Sequence, residues 1–383
     1  MSLVLRRCYR EVNFEIKDQW LINGLMILLP QVPLFDARSS LMSRKLKQAI
    51  LSGWLLCPLF ILFYVPAFAE SQALEQLLSI DKSQLTELDK SQPIAYDLNE
   101  GSNNELAVGL IWYFSVPLQA VVDKLRTPDP DMLDIDVTAH GVLTEHSGTG
   151  VLKSAIFSNE EARVLLEAEP GDEFNLSSHE FEKLKAFKHA LKRTPQRAIE
   201  DAAGEYFREI LLQRHDAYRR GGINAISSYL RKHGTESKPS IELRKAADES
   251  ELLSRYFPGL LKDWLSYPKA LPVGASEVFP WIEKNVEGRT AIILRHRIAM
   301  DWNGGLLVLT REYYTPHSYN SSQWITGCLP YREGTVVFQQ VRSFTDQVAG
   351  TGSTIKHLVG RELLQDKMLK SFERLCVILG QCN

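Results

Sequence analysis

Residues Thr290–Trp302 read TAIILRHRIAMDW, and their alternation decides the reading of the whole C-terminal half. Successive side chains of a strand point to opposite faces, with a period of two. Ile292, Leu294, His296, Ile298, Met300 and Trp302 therefore share one face, while Arg295, Arg297 and Asp301 lie on the other. Asn303-Gly304-Gly305 follows, and its first two residues suit a two-residue hairpin loop, because both central positions of that turn need positive φ. Leu306–Thr315 then reads as the returning strand, Tyr319–Cys328 as a third and Thr335–Phe344 as a fourth. Ser353–Leu379 closes the chain as one long helix, capped near Ser353-Thr354. Its apolar positions include Ile355, Leu358, Leu369, Phe372, Cys376 and Leu379.

Upstream of this meander, Ala107–Val116 (AVGLIWYFSV) is rich in β-branched and aromatic residues and predicts a strand. Pro117 suits the first turn of a helix, with Leu118, Val121, Val122 and Leu125 as its apolar face up to Thr127. Asp129-Pro130-Asp131 makes a turn, and Leu133–Phe157 is strand-like with breaks at Gly141 and Ser147-Gly148-Thr149-Gly150. The middle is helical: Asn159–Glu169, Ser178–Leu191 and the long amphipathic Pro195–Arg220, stopped by Gly221-Gly222. Ile223–Lys232 and Ile241–Tyr256 continue in the same style. The expected fold is α+β, a curved antiparallel sheet packed on a long C-terminal helix, with a helical insertion at about 159–283.

That order resembles the helix-grip layout of START-like and polyketide-cyclase-like lipid-binding domains, and Ala107–Thr127 with Thr290–Leu379 carries the resemblance. Ala168–Leu176 (AEPGDEFNL), with the Arg219–Gly222 helix stop, is also similar to an uncharacterised family of exported bacterial proteins without an established activity. The resemblance implies a START-like domain over residues 106–383.

The N-terminal part carries an export pattern. Arg44, Lys45 and Lys47 precede an apolar run from Ala49 through Trp54-Leu55-Leu56 and Leu59-Phe60-Ile61-Leu62-Phe63 to Val65, which ends in Pro66-Ala67-Phe68-Ala69. Basic residues, an apolar stretch and small residues at the −3 and −1 positions are the three parts of a secretory signal. Residues 42–69 are expected to be a signal peptide cleaved before Glu70, with residues 1–41 an over-extended start and Met42 the true one. If the segment is uncleaved, residues 49–69 act as an inner-membrane anchor. Either way the expected compartment is the periplasm, with residues 70–105 as a leader and linker. Cys8 and Cys57 leave with the first segment. Of Cys328, Cys376 and Cys382, the last two are the nearest couple for a disulfide in an oxidising compartment; the simpler reading is a buried thiol plus a terminal one.

Removing residues 1–69 from 383 leaves 314, enough for a substantial core. A formal net charge of −3 offers no basic stripe for nucleic acid. His179-Glu180 lacks a second histidine four residues after the first, where Lys183 stands, and His140 with His146 has no third ligand nearby, so no metal site is expected. Gly350-Thr351-Gly352-Ser353-Thr354 lacks the lysine of a phosphate loop. No Gly-x-Ser-x-Gly elbow occurs, and two Ser-x-x-Lys matches stand without a Lys-Thr/Ser-Gly. No cofactor and no catalytic residue are therefore assigned.

What remains is a candidate cavity. His296 sits on an otherwise apolar strand face, Thr310 and Glu312 share a side of the next strand, and Gln340 and Arg342 share a side of a later one. If the sheet wraps the last helix, these five project into one interior, and a mostly apolar pocket with a few convergent polar groups is the usual form of a ligand site. The alternative is a satisfied core histidine, with Glu312 and Arg342 paired across the outer face. The expected function is non-covalent binding of a hydrophobic small molecule or lipid in the envelope, with the membrane surface as a further partner. The competing readings are an enzyme using His296 and Glu312 as acid/base groups and an envelope interaction protein without a ligand.

Overall fold

The computed structural model describes residues 74–127, 133–134, 136–155, 157–171, 173–191 and 195–382. Residues 1–73, with the expected signal segment, lie outside the described residues, as does the Asp129-Pro130-Asp131 turn.

Among the described residues there are ten strands: β1 (Ile94–Asp97), β2 (Glu105–Phe114), β3 (Val137–Leu143), β4 (Tyr229–Leu230), β5 (Glu236–Ser237), β6 (Ser276–Val286), β7 (Arg289–Trp302), β8 (Gly305–Tyr314), β9 (Ser321–Tyr331) and β10 (Gly334–Phe344). The helices are α1 (Lys82–Leu88), α2 (Leu118–Arg126), α3 (Asn159–Glu167), α4 (Ser178–Ala190), α5 (Gln196–Gly221), α6 (Pro239–Asp248), α7 (Glu251–Tyr256), α8 (Pro258–Ser266) and α9 (Ser353–Ile378). Eight strands form one antiparallel sheet in the order β1-β2-β10-β9-β8-β7-β6-β3, and β4 pairs with β5 apart from it. The fold is α+β, with the long C-terminal helix against the sheet and helices in the middle of the chain, as the pattern predicts.

Local chemistry accounts for several joints. Asn303 and Gly304 both have positive φ, +48° and +78°, so the β7–β8 hairpin closes with the turn its residues suit. The end of α5 at Gly222 has φ +59°, and a Cβ there would meet the Tyr267 carbonyl oxygen, so only glycine allows this approach. The start of α9 differs from expectation: no Ser or Thr side chain caps it, and Gly352 in the left-handed region takes the cap position.

Both faces of the sheet are covered, and by different parts of the chain. Val108, Val308, Val337 and Val341 form a core with Val121, Val122 and Leu125 of α2 and with Met368, Phe372 and Leu375 of α9. The opposite face carries two cores. One joins Ile111, Ile298, Leu309 and Phe338 to residues 74–88 and to α7 and α8. The other joins Leu294, Trp281 and Tyr313 to Leu165 of α3, Leu184 of α4 and Phe207 and Tyr218 of α5.

Several expectations are corrected by this arrangement. Residues 74–105, expected as a leader and linker, bury Leu78, Leu85 and Leu88 in the core and add β1 to the sheet edge. The block at 159–283 is not wholly helical, because β6 lies at its end and Ile223–Lys232 gives only a 3-10 turn and β4. The Leu133–Phe157 stretch yields one strand, β3, before a 3-10 turn. The expected apolar stripe of α9 is buried only in its second half, since Ile355 is 71% and Leu358 53% exposed. Cys376 and Cys382 are joined in a disulfide, and Cys328 is a buried free thiol.

Candidate functional site

A cleft of about 140 Å³ opens on the α9 side of the sheet. Leu125 of α2 and Phe372 and Leu375 of α9 wall it on the helix side. Val308 of β8, Trp324 of β9 and Pro280 of β6 form its apolar floor. Period-two alternation then places Arg295, Arg297, Thr310, Thr326 and Gln339 on the same floor, because each lies an even number of positions from an α9-facing residue of its own strand.

The polar groups of this floor are not equally satisfied. Arg295 donates to Glu312 Oε1 at 2.9 and 2.6 Å, and Tyr319 donates to Glu312 Oε2 at 2.7 Å. Asp134 at the rim accepts from Lys284 at 3.0 Å. Arg297 has no carboxylate within salt-bridge distance among the described residues; it donates to the backbone carbonyls of Arg126, at 3.1 Å, and of Leu125, at the end of α2. Burial, then the neighbouring Arg126 and Arg295 cations, lower the Arg297 pKa to about 10, so it stays charged at neutral pH. Gln339 donates to Thr326 Oγ1 at 3.1 Å, but its Oε1 is buried without a protein partner, and so is Trp324 Nε1. A buried polar atom left unpaired costs about 1–3 kcal/mol. An apolar-walled cleft that collects an uncompensated cation, a free donor and a free acceptor is built as a binding site is built.

The five residues expected to converge are divided by the sheet. Thr310 lines the cleft, and Glu312 lies on the same face, held by Arg295 and Tyr319. His296 faces the opposite side, where it is fully buried, so His296 and Glu312 do not form an acid/base pair. Gln340 donates to Tyr96 Oη at 3.2 Å, and Arg342 donates to Glu105 Oε1 at 2.5 Å and to the Glu249 carbonyl at 3.0 Å. Glu312 and Arg342 are therefore not partners of each other either.

His296 sits instead in an aromatic box. Its ring stacks on Phe279 with centroids 4.7 Å apart, and Trp264 and Tyr267 complete the enclosure. Nδ1 is 2.9 Å from Tyr218 Oη, which accepts from Arg311 Nη1 at 2.8 Å. Nε2 lies 2.9 Å from Glu277 Oε1, a contact that by itself favours the protonated ring. Arg311 is fully buried with its guanidinium 4.0 Å over the Trp264 ring. Burial outweighs Glu277 and lowers the His296 pKa to about 4, which leaves the ring neutral. The Glu277–His296–Tyr218 row has the residue types of a proton relay, but aromatic rings fill the space around it where a substrate would stand. Among the described residues, no group of three His, Cys, Asp or Glu side chains is placed to hold a metal ion.

Arg297, Trp324, Thr326 and Gln339 are absent from the five residues read from sequence. Arg297 alternates with Arg295 and Asp301, which suggests a solvent face. The contrary signal was present: Ala291, Ile293 and Ala299 occupy the same face of the strand, and all three are buried. Compared with protein-family models, curated proteins and solved structures, the chain matches none.

Proposed function

We propose that this chain is an exported binding protein that holds a small, largely apolar molecule in the cleft between the sheet, α2 and α9. The observation that carries the reading is the cleft itself, where Leu125, Val308, Phe372 and Leu375 surround polar atoms without protein partners. Its volume narrows the ligand class. A cavity of about 150 Å³ holds a molecule of benzene size, so the occupant is a compact molecule or one short acyl chain, not a two-chain lipid. Small-molecule mass spectrometry of material extracted from the purified chain tests this. One compact apolar species should be recovered from wild type and lost from Val308→Trp, which fills the floor. Equal recovery from both would place the ligand elsewhere.

Export rests on the order of residues 44–69, basic, then apolar, then small. The Cys376–Cys382 disulfide supports an oxidising compartment. No helix among the described residues is long and apolar enough to cross a membrane. N-terminal sequencing of the envelope fraction should give Glu70 as the first residue. An intact 42–69 segment there would mean an anchor, and recovery of the chain from the cytosolic fraction would overturn export.

A further inference from the structure

The uncompensated Arg297 carries the ligand assignment one step further, and this step rests on the binding reading above. We infer that the cleft selects a small monoanionic amphiphile, a short-chain carboxylate or an acid of similar shape, whose anionic head meets Arg297 and whose apolar body lies against Val308 and Phe372.

The other cations around the cleft already have carboxylates. Arg295 is held by Glu312 at 2.6 Å, Lys284 by Asp134 at 3.0 Å, and Arg126 by Asp301. Arg297 has only carbonyl oxygens, which satisfy its hydrogens but not its charge. A largely buried cation without a counter-charge is costly to the fold, and an incoming anion recovers that cost. Arg311, another buried arginine without a carboxylate among the described residues, differs in two respects: it stacks over Trp264 and is not one of the residues that line this cleft. Trp324 Nε1 and Gln339 Oε1 supply a free donor and a free acceptor on the same floor.

Calorimetric titration of the purified full chain with octanoate, octanol and octylammonium tests the inference, with hexanoate and butanoate as shorter members. Octanoate should bind about 10- to 100-fold tighter than octanol, as expected for a hydrogen bond to a charged group. Octylammonium should bind more weakly than either. Each methylene should add about fourfold until the cleft is full. Within Arg297→Gln, octanoate and octanol should bind with about equal affinity, and Arg297→Lys should keep most of the preference. If Arg297→Gln fails to fold, Arg297→Lys and the wild-type charge series still decide the matter. Equal affinities for octanoate and octanol would overturn the anion assignment and leave the apolar site standing. Binding of none of the three would overturn both. A preference that survives in Arg297→Gln would remove Arg297 from the site.

Discussion

Replacing His296 with Phe tests whether the aromatic box holds a neutral imidazole. The ring is fully enclosed, and the charged groups facing it are Glu277, Arg311 and Arg219. Burial acts first, Glu277 opposes it, the two arginines reinforce it, and the pKa falls from 6.5 to about 4. A depressed histidine pKa means that the unfolded chain takes a proton, as the pH falls through 6.5, which the folded chain refuses. The stabilisation is therefore complete above about pH 6.5 and lost as the pH approaches 4. At about 1.36 kcal/mol per pKa unit, the loss by pH 4 is about 3 kcal/mol. His215, which burial also lowers to about 4, adds a similar loss in both proteins, so the readout is the difference between them. Urea unfolding should be followed from pH 8 to pH 4. The stability gap between wild type and His296→Phe should change by about 3 kcal/mol over that range, in the direction that favours the variant at low pH. A constant gap, or an imidazole resonance for His296 that titrates above pH 6, would refute the reasoning.

Two further substitutions test the layers around the sheet. Phe372 is 3% exposed and meets Phe114 edge-on at 6.4 Å, so Phe372→Ala should cost about 3–5 kcal/mol; a loss below about 0.5 kcal/mol, typical of a surface site, would place that side of α9 outside the core. Glu242 accepts from Asn320 and Ser321 at 2.8 Å, yet burial raises its pKa to about 6. Here the sign is opposite to that of His296: stability is greatest below the ordinary carboxylate pKa and falls by about 2 kcal/mol as the pH rises through 6. Glu242→Gln should remove that slope in urea unfolding between pH 4.5 and 7, and an unchanged slope would locate the effect elsewhere.

The parts of the fold legible in sequence are those where one period runs uninterrupted. In β7 six alternating positions share a face, and the structure buries Ile292, Leu294, His296 and Ile298 of that set. Asn303-Gly304 names its own turn, and α9 ends within one residue of expectation. By contrast, β6 (SEVFPWIEKNV) has buried residues in an unbroken run, Phe279–Lys284, and contains Pro280, so neither alternation nor composition marks it as a strand. The division of the candidate residues has a different cause. Periodicity tells which residues share a face within a strand, but not which helices cover that face. Only the register of β7 against β8 shows that His296 lies opposite Arg311 and Arg295 opposite Glu312. The cleft depends on the same long-range pairing. Trp324 faces Thr310 across one ladder, and Gln339 faces Thr326 across another, at sequence separations that no local pattern reports.

The most direct test of the binding site is the indole N–H resonance of Trp324, assigned by its loss in Trp324→Phe. Of the seven tryptophans, Trp324 lines the cleft with its Nε1 free, whereas Trp264 donates to Gln323 and Trp112 to the Ser91 carbonyl. Titration of the nitrogen-15-labelled chain with octanol should shift the Trp324 signal in a saturable way and leave the Trp264 and Trp112 signals in place. A Trp324 signal that stays fixed, or a uniform drift of all the indole resonances without saturation, would contradict a ligand site between the sheet, α2 and α9.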